Sequence, residues 1–164
     1  MKPTIISPKK LKGYEYYQTI LIDFHRKTIS DLVIELSLKL LPIKYKEFRN
    51  EELAGYSVGG ALALMLAQNI NIKKLTLISP SPFFKERLKT LPKYILKGLG
   101  KKRLADIQNY SVKDFDKITA ETTIIVGSKE PKDMISFAKY LNKKIKNSAL
   151  VIKEGFRHTD FINK

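Results

Sequence analysis

The sequence predicts an α/β domain on a mostly parallel sheet of about six strands. Three observations lead there. Short runs rich in Ile, Val, Leu and Thr alternate with stretches of helical periodicity. One run, Gln18 to Phe24, is apolar nearly throughout, as a strand buried on both faces would be. A third run leads straight into Gly55-Tyr56-Ser57-Val58-Gly59-Gly60, a tight strand-to-helix turn. The 164 residues leave room for a single domain, 1–164. A chain of this size buries roughly 70% of its unfolded surface, so a sizeable core is expected.

The elements follow in order. Thr4-Ile5-Ile6-Ser7 is the first strand, and the Gln18 run is the second. A helix is expected from Thr28 to Leu41, with Ile29, Leu32, Val33, Leu36 and Leu40 on one face and Pro42 as its stop. The third strand, Glu52 to Tyr56, precedes the turn. The helix behind it, Ala61 to Ala67, is apolar on all sides and should be buried. Lys74 to Ser79 is the fourth strand and Thr122 to Val126 the fifth. A helix from Asp133 and a sixth strand, Ala149 to Ile152, complete the alternation.

Residues 80–119 break the pattern. Pro80, Pro82 and Pro92 interrupt it, and Phe84, Leu88, Leu91, Ile95 and Leu99 suggest one or two short amphipathic helices. With ten Lys/Arg against four Asp/Glu, the stretch reads as a small basic helical insertion after the fourth strand.

Composition excludes several chemistries. The absence of cysteine removes disulfides, thiol catalysis and cysteine-bound zinc. The N-terminal apolar stretch is too short for a signal peptide, and no apolar run reaches the length of about eighteen residues that a membrane span needs. A cytoplasmic location is the expectation. The net charge of +15 fits simple solubility, an acidic protein or cofactor partner, or nucleic acid. Basic residues are spread along the chain without an arginine stripe or a nucleic-acid motif, so nucleic acid is the least favoured of the three.

Gly55-Tyr56-Ser57-Val58-Gly59 fits Gly-x-Ser-x-Gly. The glycines remove side chains that would collide across the turn, and Ser57 stands exposed at its apex. The next N–H, that of Val58, lies beside the position of a reacting carbonyl, at a helix N-terminus. Two other readings stay open at this point. Gly59 and Gly60 serve helix–sheet packing alone, or the turn binds a phosphate. The full dinucleotide and phosphate-loop patterns are absent.

A serine nucleophile needs a base, and the base needs an orienting acid. Of the two histidines, His25 precedes Ser57, whereas His158 follows the last strand. In hydrolases whose serine stands in a Gly-x-Ser-x-Gly turn of this kind the chain order is serine, acid, histidine, and a resemblance to them would imply His158. The acid belongs in the loop after the fifth strand, where Glu130 and Asp133 both occur. Glu130 sits in the turn and is preferred; Asp133 is the better helix cap. Asp160 lies only two residues from His158 and is the weakest of the three.

Gly-Tyr-Ser-Val-Gly-Gly before an apolar helix, then Leu-Thr-Leu-Ile-Ser-Pro, then Ile-Ile-Val-Gly-Ser-Lys-Glu, and finally Gly155-Phe156-Arg157-His158, together resemble an α/β-hydrolase over nearly the whole chain. The resemblance implies an α/β-hydrolase fold with its site at the strand C-termini. It implies Ser57 as nucleophile, His158 as base, Glu130 as acid, and 80–119 as a cap. It also implies an oxyanion hole from the N–H of Val58 and, by alignment of Ser7-Pro8-Lys9 with the family's His-Gly-x, the N–H of Lys9. No cofactor and no metal are expected.

Against the family pattern, the first two antiparallel strands are missing, and only six residues follow His158. The lost edge strands make a homodimer a reasonable expectation. Phe83, Phe84, Leu88 and Leu91 of the cap either line an acyl pocket or pack it onto the core. Tyr14, Tyr16 and Tyr17 are expected to pack. The leading reading is a hydrolase of a small-molecule carboxylic ester or acyl thioester. Family members of similar size include methyl esterases acting on chains held by an acidic acyl carrier protein, and the basic cap would suit such a partner. The alternative is a catalytically inactive hydrolase fold used for binding.

Overall fold

The computed structural model describes residues 2–46 and 52–163. Six strands form one sheet: β1 Thr4–Ser7, β2 Gln18–Leu21, β3 Glu52–Tyr56, β4 Lys74–Ile78, β5 Glu121–Gly127 and β6 Ser148–Lys153. Among the described residues four α-helices accompany them: α1 Ile29–Lys46, α2 Val58–Ala67, α3 Lys93–Ile107 and α4 Lys132–Lys144. The strand order is β2-β1-β3-β4-β5-β6, and every neighbouring pair is parallel. The chain steps outward from β1 to β2, then crosses back to β3 and continues the other way. The reversal at β1/β3 is a topological switch point, where parallel sheets open a crevice at their strand C-termini.

The sheet's two faces are covered unequally. On one, α2 lies on β1 and β3 beneath α1, and all ten of its residues are buried, as its all-round apolarity predicts. Ile6, Leu53, Leu77, Ile124 and Val126 face it in the main core, which α4 closes through Phe137 and Leu141. The other face has a small core of Ile5, Ala54, Tyr56 and Ile78, covered by Leu11 from a loop and Phe161 from a 3₁₀ turn. Toward β6 this face opens, and Val151 is 42% exposed.

Two sequence expectations are corrected. The second strand is not buried on both faces. β2 is an edge strand, shorter than expected, and Leu21 is exposed. Apolar content marks a strand but does not say how many neighbours it has. The first helix also runs past Pro42 to Lys46. Proline removes one N–H, whose acceptor would be the carbonyl of Leu38, a residue on the exposed face where water can serve instead.

Residues 80–119 contain two 3₁₀ turns, Lys85–Thr90 and Phe115–Lys117, on either side of α3. Gly100 (φ 78°) kinks α3. The insertion is tied to the domain by polar contacts. Arg103 lies over the Phe24 ring at 4.7 Å and donates to the carbonyls of Phe24 (2.6 Å), Lys27 (3.0 Å) and His25. Asp106 accepts from the Ser30 N–H at 3.0 Å and from the Ser30 hydroxyl. These bonds fix α3 against the start of α1 and thereby set the roof of the site. Among the described residues, no helix is long and apolar enough to cross a membrane.

Candidate active site

Ser57 follows β3 and precedes α2, with φ 56° and ψ −120°. That backbone is strained for a non-glycine residue. It is held by the Ser57 N–H donating to Ile78 O (3.0 Å) and by Ser57 O accepting from Gly60 (3.0 Å) and Ser81 (2.9 Å) N–H groups. The glycines are required by close approach. A Cβ on Gly55 would lie 2.2 Å from Gly59 O, and one on Gly59 would lie 1.9 Å from Ile6 O. Helix packing and an exposed serine are thus two consequences of one turn.

The structure brings Ser57, His158 and Glu130 together. His158 Nε2 is 3.0 Å from Ser57 Oγ, and His158 Nδ1 is 2.8 Å from Glu130 Oε2. Glu130 lies in the turn between β5 and α4 and its side chain is fully enclosed. It accepts from the Gly127 N–H at 2.9 Å and from the Ser79 hydroxyl. Burial pushes its carboxyl up, but the bonds from His158, Ser79 and Gly127 outweigh burial and hold it below the ordinary carboxylate range. His158 opens a 3₁₀ turn, His158–Phe161. That loop reaches the acid because residue 127 is glycine: a Cβ there would sit 2.1 Å from Phe156 O.

The other candidates lie elsewhere. Asp133 is in the first turn of α4, at the rim of the cavity beside Ser57. Asp160 accepts from the Arg157 N–H at 2.7 Å and closes the turn that carries His158. The Val58 N–H opens α2, so it has no partner within the helix, and it adjoins Ser57. The Lys9 N–H is engaged, donating to Ser7 Oγ at 3.2 Å, while the Ser7 hydroxyl bonds Lys9 O. His25 lines an adjoining cavity of about 500 Å³, not the one at Ser57.

Beside Ser57 and His158 lies a cavity of about 310 Å³ walled mainly by Phe24, Val58, Phe83, Leu91, Ile95 and Met134. The cap's apolar residues therefore divide between two tasks. Phe83 and Leu91 line the cavity, whereas Phe84 is fully buried edge-on against Phe115 in the core. Tyr14 and Tyr17 pack against each other at 5.3 Å and belong to the opposite face of the sheet.

Two supporting residues went unread in the sequence. The Tyr56 ring stacks on His158 at 5.0 Å, and its hydroxyl donates to His158 O at 2.8 Å. Burial pushes the Tyr56 phenol far above its ordinary range, so it stays a donor. Its place beside Ser57 in the turn was the available signal, since the side chain before a strand's last apex alternates to the far face. The second is Ser79, for which the pattern carries no cue. Among the described residues, no cluster of three or more His, Asp or Glu is placed to hold a metal ion.

No protein-family model matches the chain, and no curated protein matches it. Solved structures do. Est1E from Butyrivibrio proteoclasticus superimposes with a TM-score of 0.71 at 20% identity, covering 96% of this chain and 80% of that one. An α/β-hydrolase enzyme from a lagoon-sediment metagenome of Mar Chica, Morocco, gives 0.67 at 17% identity, covering 98% and 84%. MenH from S. aureus gives 0.61 at 19% identity, covering 96% and 86%. The strand order, the turn at Ser57 and these superpositions agree: the chain has the α/β-hydrolase fold.

Proposed function

We propose that the protein is a serine hydrolase that cleaves a carboxylic ester or thioester through an acyl-enzyme on Ser57. The observation that carries this reading is the unbroken hydrogen-bond chain from Ser57 through His158 to Glu130, opening on an apolar cavity. His158 takes the Ser57 proton as the oxygen attacks the carbonyl carbon, and returns it to the leaving alcohol or thiol. Glu130 keeps the Nδ1 proton in place and balances the imidazolium. The Val58 N–H donates to the oxyanion; removal of one such donor costs about 10²–10³ in kcat. Water, deprotonated by His158, then releases the acid.

The cavity suits the acyl chain. Its walls are apolar, so a hydrocarbon chain gains by entering, and about 310 Å³ suits a short or medium chain. Lys93 and Lys97 are exposed one turn apart on α3, the helix whose Tyr94 and Ile95 line the cavity. An acidic acyl carrier protein, with its chain delivered past Tyr94, is the partner this charge would favour.

One observation favours the second reading, a hydrolase fold used only for binding: the Lys9 N–H is turned to Ser7 rather than to the site. A panel of p-nitrophenyl esters from acetate to decanoate separates the two. The enzyme reading predicts turnover that peaks at short or medium chains and vanishes in Ser57→Ala. Binding without turnover, in wild-type protein, supports the alternative.

A further inference from the structure

Ser57 and Ser79 are the two non-glycine residues with positive φ among those described, 56° and 44°. They occupy equivalent places. Tyr56 and Ile78 pair across β3 and β4, so each serine is the first residue beyond its strand at the same level of the sheet. Ser57 N–H donates to Ile78 O at 3.0 Å, and Ser79 N–H to Ile125 O at 2.7 Å. The strain at Ser57 exposes a nucleophile. The strain at Ser79 has no such reason in the mechanism above, and its side chain is fully buried.

What the left-handed backbone does at Ser79 is turn the hydroxyl sideways along the sheet, onto Glu130 Oε1. The same oxygen accepts from the Gly127 N–H at 2.9 Å, while the other oxygen, Oε2, faces His158 at 2.8 Å. The carboxylate is therefore clamped with one oxygen committed to two donors and the other left for the imidazole. Glutamate has one more rotatable bond than aspartate, and an enclosed carboxylate without that clamp could turn either oxygen, or neither, toward His158.

We infer that Ser79 is a positioning residue, which holds the Glu130 carboxylate in the one orientation that serves His158. The inference rests on the serine-hydrolase reading. It implies that backbone strain at Ser79 is retained for the hydroxyl's direction rather than for the fold.

Two substitutions separate direction from strain. Ser79→Ala removes the hydroxyl and keeps a side chain at positive φ. Ser79→Gly removes the hydroxyl and relieves the backbone, since glycine accepts φ 44°. Both are compared with wild type by thermal melting, by p-nitrophenyl acetate kinetics across pH, and by the rate of fluorophosphonate labelling of Ser57. The other titratable groups facing the pair are Tyr56 beneath His158, Asp133 at the cavity rim and the Arg157–Asp160 pair, and all are unchanged in both variants.

The inference predicts that Ser79→Gly stays folded with a cooperative melt yet loses about ten- to a hundredfold in kcat, with KM unchanged. The acid limb of its rate profile also shifts, because the limb reports the coupled Glu130–His158 pair and one member has lost a donor. A Ser79→Gly protein with wild-type kcat and acid limb overturns the inference while leaving the enzyme reading intact. Wild-type protein that neither turns over nor labels at Ser57 overturns both.

Discussion

The two halves of the site are built differently. One half, the proton relay of the proposed hydrolase, lies over the ends of β3, β4 and β5, and its side chains bond one another in sequence. Ser57 meets His158, His158 meets Glu130, and Glu130 is held by Ser79 and Gly127. The other half, the oxyanion site of the same proposal, would draw on two N–H groups, and of these the one on Val58 opens α2 without a partner in the helix. The second donor sits in a loop after β1 and is bonded to Ser7. Groups that must exchange a proton are placed by rigid strand ends and close-packed glycines. Of the two proposed oxyanion donors, Val58 stands at the start of a buried helix, whereas Lys9 hangs on a turn. The relay should therefore be sensitive to every deletion, and the oxyanion half open to improvement.

The largest effect expected is at the nucleophile. Ser57→Ala lowers kcat on p-nitrophenyl acetate by about 10⁴-fold or more at an unchanged melting temperature. Retained turnover would place the chemistry outside the relay.

Glu130→Gln comes next, with a loss of about 10²–10⁴ in kcat, because the amide favours the wrong imidazole tautomer. It also has a thermodynamic signature. The folded carboxyl is held below its ordinary range, so its contribution to stability is present above the ordinary carboxylate pKa of about 4.3 and is lost as pH falls through the folded value. The melting temperature of wild-type protein should therefore drop more steeply below about pH 4.3 than that of Glu130→Gln. Parallel curves would mean that the clamp on Glu130 has no net strength.

Ser7→Ala tests the other half. It removes the acceptor that holds the Lys9 N–H, and kcat should rise about two- to threefold as that donor becomes free for the oxyanion. A fall in kcat would show that Ser7 orders the donor instead of withholding it, and the contrast between the halves would narrow. The smallest effect expected is at the cavity entrance. Tyr94→Ala removes an exposed wall and should raise KM for longer acyl esters about two- to fivefold, with kcat unchanged. A matching change for acetate would place Tyr94 outside acyl recognition.

The relay was more legible in the sequence than the oxyanion half, and for a physical reason. A tight turn demands glycine at Gly55 and Gly59, and a helix buried on every side demands apolar residues from Val58 to Ala67. Those demands are local and leave a readable trace. The order of Ser57, Glu130 and His158 along the chain follows from the order of the strands. Three features left no trace. The edge position of β2 depends on which strands stand beside it, and its own apolar residues do not record that. Pro42 reads as a stop, yet the helix continues to Lys46. Ser79 is one serine after one strand, and only a positive φ, invisible in sequence, turns it toward Glu130.

The central claim is that Ser57 is a nucleophile activated by His158. Treatment with a fluorophosphonate, followed by peptide mass spectrometry, tests it most directly. The account predicts a single adduct on Ser57 in wild-type protein at pH 8, formed at least about a hundredfold more slowly in His158→Ala. A folded wild-type protein left unlabelled at Ser57, or one labelled as fast without His158, would contradict it.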